Sequence, residues 1–189
     1  MVESSPKEVI LITGITGYLG SHVAKQILDL KNDRYKIRAS VRSLENQAKL
    51  APLRKAFGEE GYVSIEFVEA DLMSKEALTR AIQGVSYIIH VASPLPGAQK
   101  LKDEDMLVPA VEGMKAILEA AQTQKVKKLI VTSSLATVIG GVWKKDLGET
   151  HYSEKDVAPP EGADGYGKSK IAQEKVIRDF IAAQDPNQH

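Results

Sequence analysis

An apolar run, Val9-Ile10-Leu11-Ile12, leads into Thr13-Gly14-Ile15-Thr16-Gly17-Tyr18-Leu19-Gly20, and residues Ser21 to Leu30 follow with helical spacing. The order is strand, glycine turn, helix. A chain leaving a buried strand must turn sharply before a helix can pack back on it, and glycine tolerates the backbone angles needed. The turn also carries a chemical implication. With no side chains at Gly14, Gly17 and Gly20, a ligand's phosphates can approach the backbone. The helix that follows begins with unpaired N–H groups and a partial positive end. In this context the G-x-x-G-x-x-G spacing predicts a dinucleotide site, against the alternative of a turn that only packs helix on strand.

The rest of the chain repeats the alternation. Strands are expected over 9–13, 35–41, 63–69, 87–91 and 128–133. Helices are expected over 21–30, 46–57, broken or bent near Pro52, 75–82 with Ser74 as N-cap, 104–124, and 166–183. The segment from Leu135 to Asp164, with Gly140-Gly141 and Pro159-Pro160, reads as loop-rich. This pattern implies a doubly wound α/β fold, a parallel sheet covered on both faces, built as one domain over residues 1–189. Right-handed crossovers give strand order 3-2-1-4-5, with ligands beyond the carboxyl ends of the strands, at the switch between strands 1 and 4.

Composition excludes several classes. The 25 basic and 25 acidic residues cancel, so no charge block argues for nucleic acid. The absence of cysteine excludes disulfides, thiolate metal sites and a cysteine nucleophile. His22, His90, His151 and His189 show no ligand spacing, so no metal is expected. No signal pattern opens the chain and no apolar run is long enough to span a bilayer, so a cytoplasmic protein without a membrane partner is the expectation.

Two further elements carry chemistry. In Tyr166-Gly167-Lys168-Ser169-Lys170, Tyr166 and Lys170 are four apart and share a face if helical. A phenol ionises near pH 10, and a nearby ammonium favours the phenolate, which suits proton exchange with a carbonyl oxygen. The alternative is a surface tyrosine beside a solvated lysine. The apolar strand Leu129-Ile130-Val131 ends in Thr132-Ser133-Ser134, whose hydroxyls either face the ligand crevice or cap the strand end. Ser133 and Ser134 point to opposite sides if the strand continues. At the end of strand 2, where NAD-selective proteins place an acidic residue, the chain has Arg42. Trp143, His151 and Tyr152 line a substrate pocket or anchor their loop.

Glycine turn, Ser134, Tyr166 and Lys170 in this order resemble the short-chain dehydrogenase/reductase superfamily, and the T-G-x-x-G-x-x-G form resembles its extended branch. Arg38-Ala39-Ser40-Val41-Arg42, Ala70-Asp71-Leu72, His90-Val91-Ala92-Ser93-Pro94, Pro109-Ala110-Val111-Glu112-Gly113 and Val131-Thr132-Ser133-Ser134 are similar to the dihydroflavonol reductase, cinnamoyl-CoA reductase and yeast-type aldehyde/ketone reductase group. The likeness runs from about residue 9 to 180. It implies a Rossmann fold that binds NADPH and reduces a small-molecule carbonyl. Tyr166 is then the proton donor, Lys170 lowers its pKa and holds the nicotinamide ribose, and Ser134 steadies the carbonyl oxygen. Gly14, Thr16, Gly17, Tyr18, Leu19 and Gly20 hold the pyrophosphate, and Arg42 and Lys49 grip the 2′-phosphate. Asp71 and Leu72 contact the adenine, unless Asp71 is only a helix cap. Val91, Ala92 and Ser93 line the nicotinamide side, with Thr132 and Ser133 nearby, Ser133 as a structural hydroxyl behind the catalytic Ser134.

Extended reductases continue past this last helix into a further strand, a proline-containing loop and a substrate domain. The expectation is therefore that residues 1–189 are the cofactor half of a longer polypeptide, and that alone they bind NADPH weakly and turn over negligibly. Two rivals stay open: a sugar-nucleotide epimerase or dehydratase with bound NAD, and a non-catalytic dinucleotide-binding subunit.

Overall fold

The computed structural model describes residues 6–94, 102–139, 157–158 and 160–184. The chain divides into two compact units: Met1–Ala92 with Glu119–Thr132, and Ser93–Leu118 with Ser133–His189.

The first unit is built on a five-stranded parallel sheet, β1 (Glu8–Thr13), β2 (Tyr35–Val41), β3 (Glu66–Glu69), β4 (Tyr87–His90) and β5 (Lys128–Val131), in the order β3-β2-β1-β4-β5. This is the expected Rossmann order. β1 lies in the middle, and its adjacent residues Leu11 and Ile12, which point to opposite faces, are both fully buried. A strand covered on both faces has no room for polar alternation, which is why it reads as a continuous apolar run. One face packs Ile10, Ile12, Ile37, Ala39 and Val41 against Ala24, Leu50 and Leu53, from helices α1 (Tyr18–Asp29) and α2 (Gln47–Val63). At the opposite end of the sheet Glu8 pairs with Arg34 and Lys127 and accepts from Tyr87 Oη. The Lys127 and Arg34 hydrogen bonds hold its carboxyl down at about 2, so it stays ionised and joins the starts of β1 and β4 to the loops before β2 and β5.

Helix α3 (Lys75–Ile82) has the expected bounds, and Ser74 Oγ accepts from Ala77 N at 3.2 Å as its cap. Helix α2 differs from expectation. It passes through Pro52 and breaks instead at Gly58, where φ is 72°. Pro52 removes one donor, to the Ala48 carbonyl; both residues are exposed, so water can satisfy that carbonyl. Gly58 takes a left-handed angle that starts a second helical stretch, and β3 is shortened to four residues as a result.

The second unit holds the first sixteen residues of α4 (Asp103–Thr123), a short α5 (Ala136–Ile139) and α6 (Gly165–Ala182). Asp103, Glu104 and Asp105 complement the positive end of α4. Asp164 caps α6 by accepting from Gly167 N at 2.7 Å. The two helix starts meet closely. A Cβ on Gly165 would lie 2.4 Å from Asp103 Oδ1 and 2.5 Å from Met106 Cε, and Lys168 Nζ reaches Asp103 Oδ2 at 2.8 Å.

Candidate functional site

In the first unit the carboxyl ends of the strands carry the glycine turn. Gly14 has φ 75°, and a Cβ there would sit 2.7 Å from Ala92 N. A Cβ on Gly20 would sit 2.2 Å from Gly14 O. Both glycines are therefore demanded by the chain's own packing, a reason the spacing alone does not reveal. Gly17 differs: its Cβ would meet only Gly14 O, at 3.3 Å. It is the residue before α1, which has no side-chain cap and no acidic residue in its first turn. The first bond into the helix is Ser21 N–H to Gly17 O, 3.0 Å, leaving the amides of Tyr18, Leu19 and Gly20 ahead of it.

Thr13, the threonine of the T-G-x-x-G-x-x-G form, closes the floor of this turn. Its buried Oγ1 accepts from Val91 N and Ala92 N, each at 3.2 Å, and pairs with buried His90 Nδ1 at 2.8 Å. These bonds hold the end of β4 where Gly14 needs it. Arg42 follows β2, is exposed, and pairs with no carboxylate among the described residues. Its loop is tied to β3, because Leu44 N donates to Glu69 Oε1 at 2.8 Å. Lys49 is exposed on α2. Asp71 Oδ1 accepts from Met73 N at 2.8 Å, shaping the turn before α3. Thr132 N donates to His90 O at 3.0 Å just past the end of β5. β5 thus stops at Val131, short of the expected Ser133, because its partner β4 ends at His90.

In the second unit Ser93 Oγ is buried without a hydrogen-bond partner among the described residues. Tyr166 and Lys170 lie one turn apart on α6. Lys170 is buried, 3% exposed, with Nζ 3.2 Å from Gln173 Oε1. Burial pushes its ammonium below the ordinary lysine range. The two serines differ sharply. Ser133 Oγ donates to Glu174 Oε2 at 2.5 Å. Ser134 Oγ accepts from Ala136 N at 3.2 Å, and its proton has no acceptor among the described residues. The loop with Trp143, His151 and Tyr152 lies outside the described residues.

Because Lys170 gives up its proton more readily folded than unfolded, stability rises with pH from its lowered folded value up to the ordinary lysine value, about 10.4. Lys170→Met removes that burial cost. The variant is expected to melt above the parent at pH 7, with the gap closing as the pH climbs toward 10. Thermal unfolding across that range checks it, and a variant less stable at pH 7 would show that the lysine's hydrogen bonds outweigh its burial.

The sequence matches the NAD dependent epimerase/dehydratase family over residues 10–187. The chain belongs to that family. Within it, an uncharacterized oxidoreductase of Schizosaccharomyces pombe is 32% identical, over 95% of this chain and 55% of the relative. Dihydroflavonol 4-reductase of Solanum lycopersicum is 32% identical, over 92% of this chain and 46% of the relative. Among solved structures, Gre2 of Candida albicans in complex with NADPH superposes with a TM-score of 0.68 at 29% identity, over 95% of this chain and 54% of that one. The chain spans about half the length of the relatives it matches. In the first unit the residues present fit the family's dinucleotide on two observations: the uncapped start of α1 and the exposed Arg42. Among the described residues no group of three His, Cys, Asp or Glu side chains could hold a metal ion, and no helix is long and apolar enough to cross a membrane.

Proposed function

We propose that the chain carries the cofactor and acid/base half of an NADPH-dependent carbonyl reductase acting on aldehydes or ketones. The observation that carries this is α6, which presents Tyr166 one turn before a buried Lys170. A buried ammonium is costly, and a fold keeps one where its charge is used. NADPH, when bound, supplies the hydride to the carbonyl carbon. Tyr166 gives its phenolic proton to the carbonyl oxygen. Lys170 stabilises the phenolate that remains. Ser134 donates its uncommitted hydroxyl proton to the same oxygen and orients it. The amides at the start of α1 hold the pyrophosphate, with Gly17 keeping the approach open. Asp71 and Leu72 border the adenine, and Val91, Ala92 and the Ser93 hydroxyl serve the nicotinamide.

Arg42, with Lys49, favours a 2′-phosphate over a bare ribose hydroxyl, since a guanidinium offers a planar fork of donors and no acceptor. Arg42→Ala is expected to weaken NADPH by roughly 10- to 150-fold, the loss of a charge-assisted hydrogen bond of about 1.5–3 kcal/mol, and to leave NADH unchanged. Fluorescence titration of both cofactors measures this, and equal losses would remove Arg42 from the 2′-phosphate. NADPH oxidation by the full-length protein across a panel of aldehydes and ketones tests the activity. Stoichiometric binding without oxidation would favour a non-catalytic subunit.

A further inference from the structure

We propose that Glu174 is a positioning residue, clamping the Ser133 hydroxyl so that the turn after β5 presents Ser134 in a fixed direction. Glu174 stands on α6 one turn beyond Lys170. Its two carboxylate oxygens have separate duties. Oε2 accepts from Ser133 Oγ at 2.5 Å, and Oε1 accepts from Arg178 Nη2 at 2.8 Å and Nε at 3.2 Å. Both Arg178 bonds fall on Oε1, which leaves Oε2 to Ser133. Burial pushes the Glu174 carboxyl up, but the hydrogen bonds from Ser133 and Arg178 lead the opposing effects, and the net direction is down. The group is therefore ionised at neutral pH, and the short O–H···O contact is of the charge-assisted kind.

A serine has one hydroxyl proton. Ser133 spends its proton on Glu174, so it has none for a substrate oxygen. The carbonyl of Ser134 is held at the same time, accepting from Thr137 Oγ1 at 2.7 Å and Thr137 N at 3.0 Å. The turn is thus pinned by a carboxylate through Ser133 and by Thr137 through the Ser134 carbonyl. The first of these links crosses 41 residues of sequence to the helix that bears Tyr166 and Lys170. An i,i+4 pair with Arg178 alone would not require an oxygen turned toward Ser133. The clamp lets α6 dictate where Ser134, the one of these two serines with an uncommitted proton, points.

The inference rests on the reductase reading, and its test separates the two. Glu174→Ala, Ser133→Ala and the double variant are made in the full-length protein. If Glu174 acts through Ser133, each single variant lowers carbonyl turnover by on the order of 10- to 100-fold, the scale of a misplaced reacting group. NADPH affinity stays at the parent value, and the double variant is no worse than either single one. Losses that multiply in the double variant would overturn the clamp. Amide hydrogen exchange gives a readout free of turnover: Glu174→Ala should speed exchange at Ala136 and Thr137 while leaving α1 unchanged. Faster exchange in a protein that reduces no carbonyl would sink the reductase reading and retain the clamp. Unchanged exchange would discard the clamp whatever the turnover.

Discussion

Tyr166→Phe in the full-length protein is expected to lower carbonyl reduction by about 10²–10⁴-fold, the usual contribution of a positioned general acid, with NADPH affinity unchanged. The substitution keeps the ring and deletes one hydroxyl. The local structure should survive it, because the bond that Tyr166 makes within α6 is through its backbone carbonyl, which accepts from Ser169 Oγ at 2.7 Å. Lys170→Met, by contrast, should harm turnover and cofactor binding together while raising thermal stability. The opposed pattern of the two variants, read by steady-state rates and by NADPH titration, separates acid catalysis from general damage to the helix. A Tyr166→Phe enzyme that keeps its rate would remove the proton donor from the mechanism.

Gly20→Ala is expected to lower the melting temperature by about 6–12 °C and to abolish dinucleotide binding. The added Cβ would lie 2.2 Å from Gly14 O, 2.7 Å from Gly14 C and 3.0 Å from Ile15 Cα. All three are main-chain atoms, so no rotamer change relieves the contact. Overpacking of this kind costs about 3 kcal/mol at the upper end of its usual range, and a chain of this size loses about 2–4 °C per kcal/mol. Relief requires α1 to move away from the turn, which shifts the amides of Tyr18 and Leu19. Thermal unfolding of residues 1–189 and NADPH titration of the full-length protein check the two parts. Gly17→Ala is the control: its single contact, 3.3 Å from Gly14 O, should cost stability far less, so a loss of binding there reports on the ligand's approach. Equal melting losses for the two variants would mean that Gly20 is not the packing contact of the turn.

Much of this was legible in the amino-acid order because it is a local or topological matter. The apolar strand, the glycine turn and the amphipathic helices are written in neighbouring residues, and right-handed crossovers turn that succession into the order β3-β2-β1-β4-β5. Boundaries were less legible where packing outweighs propensity. Helix α1 begins at Tyr18 rather than Ser21 and so takes Gly20 into its first turn, since only glycine fits beside Gly14 there. The break in α2 falls at Gly58 rather than Pro52, because a left-handed backbone angle ends a helix more decisively than one missing solvent-facing hydrogen bond.

Within the candidate site, the residue types that carry chemistry were visible and the partners that aim them were not. The amino-acid sequence by itself determined the family, the parallel α/β fold, the place of the glycine turn and the spacing of Tyr166 and Lys170 on one helix face, all of which depend on residues within a few turns of one another. Only the tertiary structure decided that His90 meets Thr13, 77 residues away, that Glu69 ties the Arg42 loop, 25 residues away, and that Glu174 takes the proton of Ser133 and leaves that of Ser134. Hydrogen bonds between groups so far apart in the chain leave no periodicity to read. They exist because the sheet and helices, once packed, bring a donor and an acceptor within about 3 Å, and a partly desolvated polar group must then take the partner it finds.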